Sequence, residues 1–157
     1  MVTRAEIVAE ARLWLGTPYH HQGSVLGVGC DCVGLVRGVY RGLIGPEPED
    51  RPNYSMDWGE VNGAETMLEY FFKYLSAIPC FDNPLTGVMT VRRRIANTPG
   101  VVLAMRWKPG LVAKHCIVTI GNGQAIQAVN NNVVSEFELS DWWLSRCAAA
   151  FDFPGVV

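Results

Sequence analysis

Cys32 stands where a cysteine can act as a nucleophile. It follows the turn Gly29-Cys30-Asp31 and opens an apolar run. The apolar side chains recur at helical spacing, at Val33, Val36, Val39, Tyr40 and Leu43. A cysteine in the first turn of a helix lies beside unpaired backbone N–H groups and the positive end of the helix dipole, and both stabilise the thiolate. Because the thiolate is the form that attacks carbonyl carbon, Cys32 is a candidate nucleophile; the alternative is a small buried core residue.

A histidine on a predicted strand is the candidate base. The segment 113–120 around His115 is short and β-branched, and Gly121-Asn122-Gly123 and a second strand at 124–129 follow it as a hairpin. If the connection has three residues, residue 117 faces residue 127, and His115 and Gln127 become diagonal neighbours on one face of the sheet. A two-residue turn at Asn122-Gly123 would shift the register by one residue and place them on opposite faces.

Cys32, His115 and Gln127 together match the requirements of nucleophilic catalysis. Such a site needs a nucleophile, a base that takes its proton, and a polar group that orients the base. The alternative for His115 is a structural histidine that forms a hydrogen bond within the core. The constellation predicts acyl transfer, with His115 as the base and Gln127 behind it.

Several motifs along almost the whole chain resemble one known family. They are Trp14-Leu15-Gly16-Thr17-Pro18-Tyr19, Gly27-Val28-Gly29-Cys30-Asp31-Cys32-Val33-Gly34-Leu35-Val36-Arg37-Gly38, Tyr54-Ser55-Met56-Asp57-Trp58, Pro99-Gly100, Ala113-Lys114-His115, the Trp142 region and Ala150-Phe151-Asp152-Phe153-Pro154. With them the chain resembles the NlpC/P60 cysteine peptidases, papain-like enzymes that cut the peptide stems and cross-links of bacterial cell wall. It is most similar to the phage-type branch, found in tail proteins of bacteriophages and gene transfer agents.

The resemblance implies a role for each candidate residue. Cys32 would be the nucleophile, His115 the general base, and Tyr19 the family tyrosine whose hydroxyl lies near the nucleophile. Gln127 falls where many members have a third polar residue, usually histidine; glutamine can orient the imidazole, but it cannot stabilise an imidazolium as a carboxylate would. The family also tends to have aspartate where this chain has Val101. The implied substrate is a peptidoglycan stem peptide, commonly cut after a D-glutamyl residue, and no cofactor is implied.

Composition favours one globular domain over residues 1–157 and argues against a nucleic-acid partner. Charged residues make up 18% of the 157 residues, against a usual share of about 25%, and 49% are apolar, so a docking surface is plausible. The net charge of −2 and pI near 5.9 are not those of a nucleic-acid binder. Arg92-Arg93-Arg94 is the one basic run, and we expect it on a solvated loop.

The cysteines predict free thiols rather than a zinc site. The chain has five cysteines, and we expect neither a secretory leader nor a membrane span. A zinc site from Cys30, Cys32, His115 and Cys116 is the alternative, but structural zinc motifs usually separate cysteines by two to four residues, and only Asp31 separates Cys30 from Cys32. On a strand Cys116 points away from His115, so we expect it in the core. Cys80 and Cys147 have no motif around them.

The order of predicted elements is helices first and an antiparallel sheet after them, an α+β papain-like pattern. A capping box at Thr3-Arg4-Ala5-Glu6 opens the first helix, which ends at Gly16. The Cys32 helix ends near 42–45, residues 46–56 are irregular, and a third helix covers 59–76. The segment 79–99 has no clear periodicity, which leaves a short hairpin and a lid as alternatives. Strands are expected at 101–106, 114–120, 124–129, 133–137 and 148–153.

Three functions compete at this stage. The first is a tail-associated wall peptidase that opens murein for DNA delivery, made in the cytoplasm and carried at the tail tip with other tail or baseplate proteins as partners. The second is a tail-tip component with the same fold and little activity, which Gln127 and Val101 favour. The third is a cellular amidase or acyltransferase. Docking on tail proteins would use exposed aromatic or apolar residues, and the alternative is that these residues belong to the core. The candidates are Tyr54, Trp58, Trp142-Trp143 and the apolar C-terminus 154–157.

Overall fold

The computed structural model describes residues 1–48, 54–55, 62–79 and 88–157. In these residues the chain forms helices, one central six-stranded sheet and a small two-stranded sheet. The elements are α1 (Arg4–Leu13), β1 (Ser24–Val25), β2 (Gly29–Cys30), α2 (Cys32–Leu43), α3 (Thr66–Tyr74), β3 (Ser76–Ala77), α4 (Val88–Asn97), β4 (Val101–Arg106), β5 (Ala113–Gly121), β6 (Gln124–Gln127), β7 (Ser135–Glu138), α5 (Asp141–Leu144) and β8 (Cys147–Asp152).

The helix α2 carries Cys32 at its first position, as predicted. Asp31 is the N-cap residue, and its carboxylate accepts the backbone N–H of Gly34 at 2.7 Å. The buried side of α2 faces the core, which explains the apolar periodicity of this part of the sequence. The predicted capping box of α1 is present: the Thr3 hydroxyl accepts the N–H of Glu6, and the Glu6 carboxylate accepts the N–H of Thr3.

Two glycines let neighbouring segments approach α2 closely. A Cβ at Gly34 would lie 1.8 Å from the carbonyl oxygen of Gly23, and a Cβ at Gly38 would lie 1.9 Å from the Trp14 ring. Gly34 therefore admits the loop that precedes Cys32, and Gly38 admits the end of α1. The first contact holds the start of α2 against the preceding loop, and the second holds the middle of α2 against the end of α1.

The central sheet is antiparallel, with the strand order β3-β8-β4-β5-β6-β7. Successive residues of its strands enter two different hydrophobic clusters. Val102, Cys116, Val118 and Phe151 pack with α1, α2 and α3, whereas Leu103, Ile117 and Ala150 pack with α4 and α5. The α+β prediction is confirmed, and the sheet is covered by helices on both faces.

The β5–β6 hairpin combines features of the two alternatives that the sequence left open. Val118 pairs with Ile126 and Thr119 with Ala125, which is the register expected for a three-residue connection. At the tip, however, Gly121 pairs with Gln124, so the turn has two residues, and both Asn122 and Gly123 have positive φ. A β-bulge between Thr119 and Gly121 restores the register, so the strands pair as in the three-residue alternative although the turn is that of the two-residue alternative.

Several local predictions need correction. The segment 88–97 is the helix α4, although 79–99 shows no clear periodicity; residues 80–87, with Cys80, lie outside the described part of the chain. The basic run belongs to α4 and not to a loop: Arg92 donates to the carbonyl groups of Leu144 and Cys147, and Arg93 pairs with Asp141 at 2.7 Å. The short helix α5 and the strands β1, β2 and β3 were not predicted, and α3 is shorter than the predicted helix.

None of the helices in the described part of the chain has the length and apolar character that a membrane crossing requires.

Candidate active site

An open cleft lies at the start of α2 and brings the predicted residues together. It encloses about 640 Å³, open solvent at its mouth included. Its lining includes Cys32 and His115, and Tyr19 lies on its wall. The other lining residues are His21, Asp31, Val33, Tyr54, Ser55, Trp107, Lys114, Ala128, Val129 and Asn130.

Cys32 is partly exposed in this cleft, and its thiol lies among polar groups of β5. Hydrogen bonds from the Cys116 thiol and from His115 lower the pKa of Cys32 well below its usual value, against the opposing effect of burial. The charge of His115 and the backbone N–H of Cys116 act in the same direction. The sulfur also lies 4.0 Å from the carbonyl oxygen of Lys114. This environment favours the thiolate, as the helix-start position predicted.

His115 is buried and held in place on two sides. Its Nε2 lies 3.0 Å from Gln127 Oε1, the contact that the hairpin register predicted. Because a glutamine oxygen only accepts hydrogen bonds, Nε2 carries the proton in this arrangement and Nδ1 is left unprotonated. Trp107 stacks on the imidazole with a centroid distance of 5.1 Å, and Trp143 lies at 6.0 Å. The two indoles restrict the ring to this orientation.

Asp31 anchors the loop in front of the nucleophile. Besides capping α2, its carboxylate accepts the Gln22 N–H at 2.7 Å and the Tyr54 hydroxyl at 2.5 Å. His21 Nδ1 lies 3.8 Å from it, and the carbonyl of Tyr54 contacts both His21 Nε2 and the Gln22 amide. Burial and the charge of Cys32 raise the pKa of Asp31, while its three donors act against that rise. The network fixes one wall of the cleft.

Tyr19 lines the same cleft as Cys32. Burial, followed by the charges of Asp31 and Cys32, raises the pKa of its phenol to about 12, so the hydroxyl stays protonated and able to donate. The bridge between Tyr19 and Cys30 ties its backbone to β2.

The other residues that the sequence singled out occupy different places in the fold. Val101 is fully buried at the first position of β4, whereas Met105, which pairs with His115, lies near the other end of that strand. The presence of valine instead of the family's aspartate therefore does not alter the site. Tyr54 is buried and not an exposed docking residue, whereas Trp142 is 49% exposed; Trp58 lies outside the described residues. Among the described residues, no three histidine, cysteine or acidic side chains converge as a metal site, so the zinc alternative has no geometric support.

Comparison with known proteins finds relatives of this structure but not of its sequence. No protein-family model matches the chain, and no curated protein gives a significant match. The NlpC/P60 domain of the peptidoglycan hydrolase SagA aligns over 97% of this chain and 100% of that domain, with 23% identity and a TM-score of 0.58. An NlpC/P60 family protein from Bacillus cereus aligns over 96% of this chain, with 17% identity and a TM-score of 0.60. This chain has the NlpC/P60 fold.

The NlpC/P60 fold accounts for the helices, the sheet and the cleft between them. A third similar structure is the peptidoglycan hydrolase RipB from Mycobacterium tuberculosis, with 19% identity and a TM-score of 0.51. The chain spans 40% of the Bacillus cereus protein and 63% of RipB. At these identities the likeness shows the fold, and the activity must be argued from the site.

Sequence reasoning missed two participants in this candidate site. Trp107 and Trp143 come from the β4–β5 connection and from α5, and no local pattern relates either residue to His115. Cys116 is fully buried, as expected for a core residue.

Proposed function

We propose that this protein is a cysteine peptidase that hydrolyses amide bonds in the stem peptides of peptidoglycan. One observation carries the proposal: the Cys32 thiol lies in an open cleft beside His115, whose other ring nitrogen is held by Gln127 at 3.0 Å. This is the order of nucleophile, base and orienting group that thiol-dependent acyl transfer needs.

The reaction begins with the thiolate of Cys32. His115 accepts the thiol proton at Nδ1, because Nε2 is engaged with Gln127. The thiolate attacks the amide carbonyl, and the oxyanion accepts hydrogen bonds from backbone N–H groups at the start of α2, with the Tyr19 hydroxyl as a further donor. His115 then gives its proton to the leaving amine. Water, deprotonated by His115, attacks the thioester and releases the acid and the thiol.

Gln127 determines how strongly the His115 imidazolium is stabilised during these reaction steps. Its oxygen accepts the Nε2 proton and keeps the ring in one orientation, but it brings no negative charge. The two indoles also hold the ring, so its orientation does not depend on a carboxylate. We therefore expect an active enzyme, rather than the weakly active structural component that Gln127 could also indicate.

The substrate class is supported by the similar structures and by the cleft. SagA and RipB are peptidoglycan hydrolases, and both share this fold. The cleft is open at its mouth and its polar lining includes His21, Ser55 and Lys114, which can hold the carboxylates and amides of a short peptide. A cut after a D-glutamyl residue is the specific bond that the resemblance implies.

We further propose that the peptidase acts at the tail of a phage or gene-transfer-agent particle, where it opens murein for DNA delivery. The support is the sequence resemblance to the phage-type branch and the presence of several exposed apolar side chains on the described surface. These side chains are Leu13, Val25, Leu26, Val28, Val133 and Trp142. The partners in this role would be other tail or baseplate proteins.

Digestion of purified sacculi tests the proposed activity. Wild-type protein should release soluble muropeptides whose new termini, read by mass spectrometry, identify the bond that is cut, and Cys32→Ala should release none. Intact sacculi after prolonged incubation with folded wild-type protein would contradict the peptidase. Hydrolysis of other amides or esters alongside intact sacculi would favour the cellular amidase or acyltransferase.

A further inference from the structure

Trp107 contacts the His115 imidazole from a connection and not from a strand. Its indole stacks on the imidazole at a centroid distance of 5.1 Å and an interplanar angle of 22°, although the residue comes directly after the last position of β4. The side chain is 40% exposed, so burial alone does not fix it. Residues in connections are more mobile than residues in strands. A contact that holds this segment would therefore also help to hold the imidazole.

Arg146, between α5 and β8, makes contacts of this kind. Its Nε donates to the Trp107 carbonyl at 3.1 Å, and its Nη1 donates to the Trp142 carbonyl at 3.0 Å. The guanidinium lies over the Trp142 ring, 3.8 Å from the centroid. The Arg146 N–H donates to the Trp143 carbonyl at 3.0 Å, and its carbonyl accepts the Arg106 N–H at 2.9 Å. One residue thus joins the two segments that supply the indoles beside the candidate base.

We infer that Arg146 is a positioning residue for His115: its guanidinium holds the Trp107 segment against α5, so that the Trp107 indole stays stacked on the imidazole. Arg146 is not among the described residues that line the cleft, so it acts through the indole and not through the substrate. The importance of this contact for hydrolysis rests on the proposed function. The position of the imidazole does not, because NMR reports it without any peptidase assay.

A guanidinium suits this task because it can donate in two directions and stack on a ring at the same time. It presents its N–H donors in a rigid planar fork, whereas a lysine ammonium is a compact charge on a flexible stem. Carbonyl groups that accept from a cation form stronger hydrogen bonds than those that accept from a neutral donor, and the Trp142 ring adds a cation–π contact. We therefore expect lysine to replace the charge of Arg146 but not its simultaneous contacts.

The test is the ring-current displacement of the carbon-bound protons of His115, measured by NMR at one fixed pH in protein with isotope-labelled histidine. A proton over the face of an indole resonates upfield of its ordinary position, so the displacement reports the stacking of Trp107 directly. The chain has three histidines, and the His115 signals are assigned by their loss in His115→Asn.

Four variants separate the positioning role from a general effect on stability. Arg146→Met keeps an unbranched side chain without donors, and Arg146→Lys keeps the charge. Arg93→Met is the matched control, because Arg93 also ties α5 to its surroundings, through the Asp141 carboxylate at 2.7 Å and not through a tryptophan. Thermal melts verify that each variant is folded, and Arg146→Gln replaces Arg146→Met if the latter does not fold.

We expect Arg146→Met and Arg146→Lys to lose most of the upfield displacement. They should also lower kcat for muropeptide release by about tenfold, within the roughly 100-fold that a small misplacement of a catalytic group can cost. Arg93→Met should keep both quantities at their wild-type values.

A folded Arg146→Met or Arg146→Lys with the wild-type His115 signals would overturn the inference. An equal loss of displacement in Arg93→Met would also overturn it, because a general loosening of α5 would then explain the effect. The NMR result does not depend on whether the wild-type protein digests sacculi. Intact sacculi together with the expected loss of displacement would contradict the proposed function alone.

Discussion

Replacing Gln127 with alanine tests the part of the site that the sequence predicted through strand register. The substitution removes the 3.0 Å contact with His115 Nε2 and leaves the indoles of Trp107 and Trp143 in place. His115 is only 4% exposed, so water replaces the lost acceptor poorly. We therefore expect a folded enzyme with an imidazole that is less well held and whose charged form is less stable.

The size of the effect follows from the charge that His115 gains during the reaction. A hydrogen bond to a charged group contributes about 1.5 to 3 kcal/mol, and each 1.4 kcal/mol corresponds to a tenfold change in rate. Gln127→Ala should thus lower kcat/KM by about 10- to 100-fold. Gln127→His, which restores a polar ring at this position, should retain most of the wild-type rate.

The assay is the initial rate of muropeptide release between pH 5 and pH 9, compared at equal concentrations of folded protein. Gln124→Ala is the control, since Gln124 is the same residue type on the same strand but is exposed at the turn end, away from the cleft. A rate for Gln127→Ala within twofold of both wild type and Gln124→Ala would refute the orienting role of Gln127.

Three further predictions follow from the same structure. Cys30→Ala should retain most activity, because burial raises the pKa of Cys30 to about 12 and its thiol is therefore not a nucleophile. Equal loss of activity in Cys30→Ala and Cys32→Ala, together with zinc found in the wild-type protein by elemental analysis, would restore the metal interpretation. Gly34→Ala should lower the free energy of unfolding by more than about 2 kcal/mol, because the new Cβ would meet the backbone oxygen of Gly23 at 1.8 Å. Gly42→Ala, on the same helix, is the control and should cost little, because only the Glu10 side chain must move. Equal denaturation midpoints for the two variants would contradict this prediction. In a producing strain, the protein should remain with washed particles at the distal tail tip, and particles with Cys32→Ala should assemble and attach but deliver DNA poorly; its absence from washed particles would favour the cellular enzyme.

Local patterns were sufficient for the elements that carry the chemistry. The capping box, the apolar period after Cys32 and the β-branched run around His115 each depend on neighbours within a few residues, and the structure has the corresponding helices and strand. The strand β4 has the predicted bounds, Val101–Arg106. Such patterns fail where contacts are distant: α4 owes its position to Val91 and Ile95, which pack on the far face of the sheet.

The hairpin shows where local reasoning reaches its end. Whether His115 and Gln127 share a face of the sheet depends on the register of the two strands, and the register depends on the turn. The chain uses a two-residue turn with a bulge between Thr119 and Gly121, an arrangement that the sequence of the loop did not distinguish from a three-residue connection. The predicted contact is correct because the bulge compensates for the shorter turn.

By itself, the sequence determined which residue could be the nucleophile, which could be the base, and what kind of fold would present them. It could do so because helix starts, caps and strand alternation are set by residues adjacent along the chain. Only the tertiary structure decided that Trp107 and Trp143 flank His115, that Cys116 and Cys32 pack in one hydrophobic cluster, and that Val101 lies away from the cleft. Those relations join segments that are far apart in sequence, and their geometry is fixed by the packing of helices on both faces of one sheet.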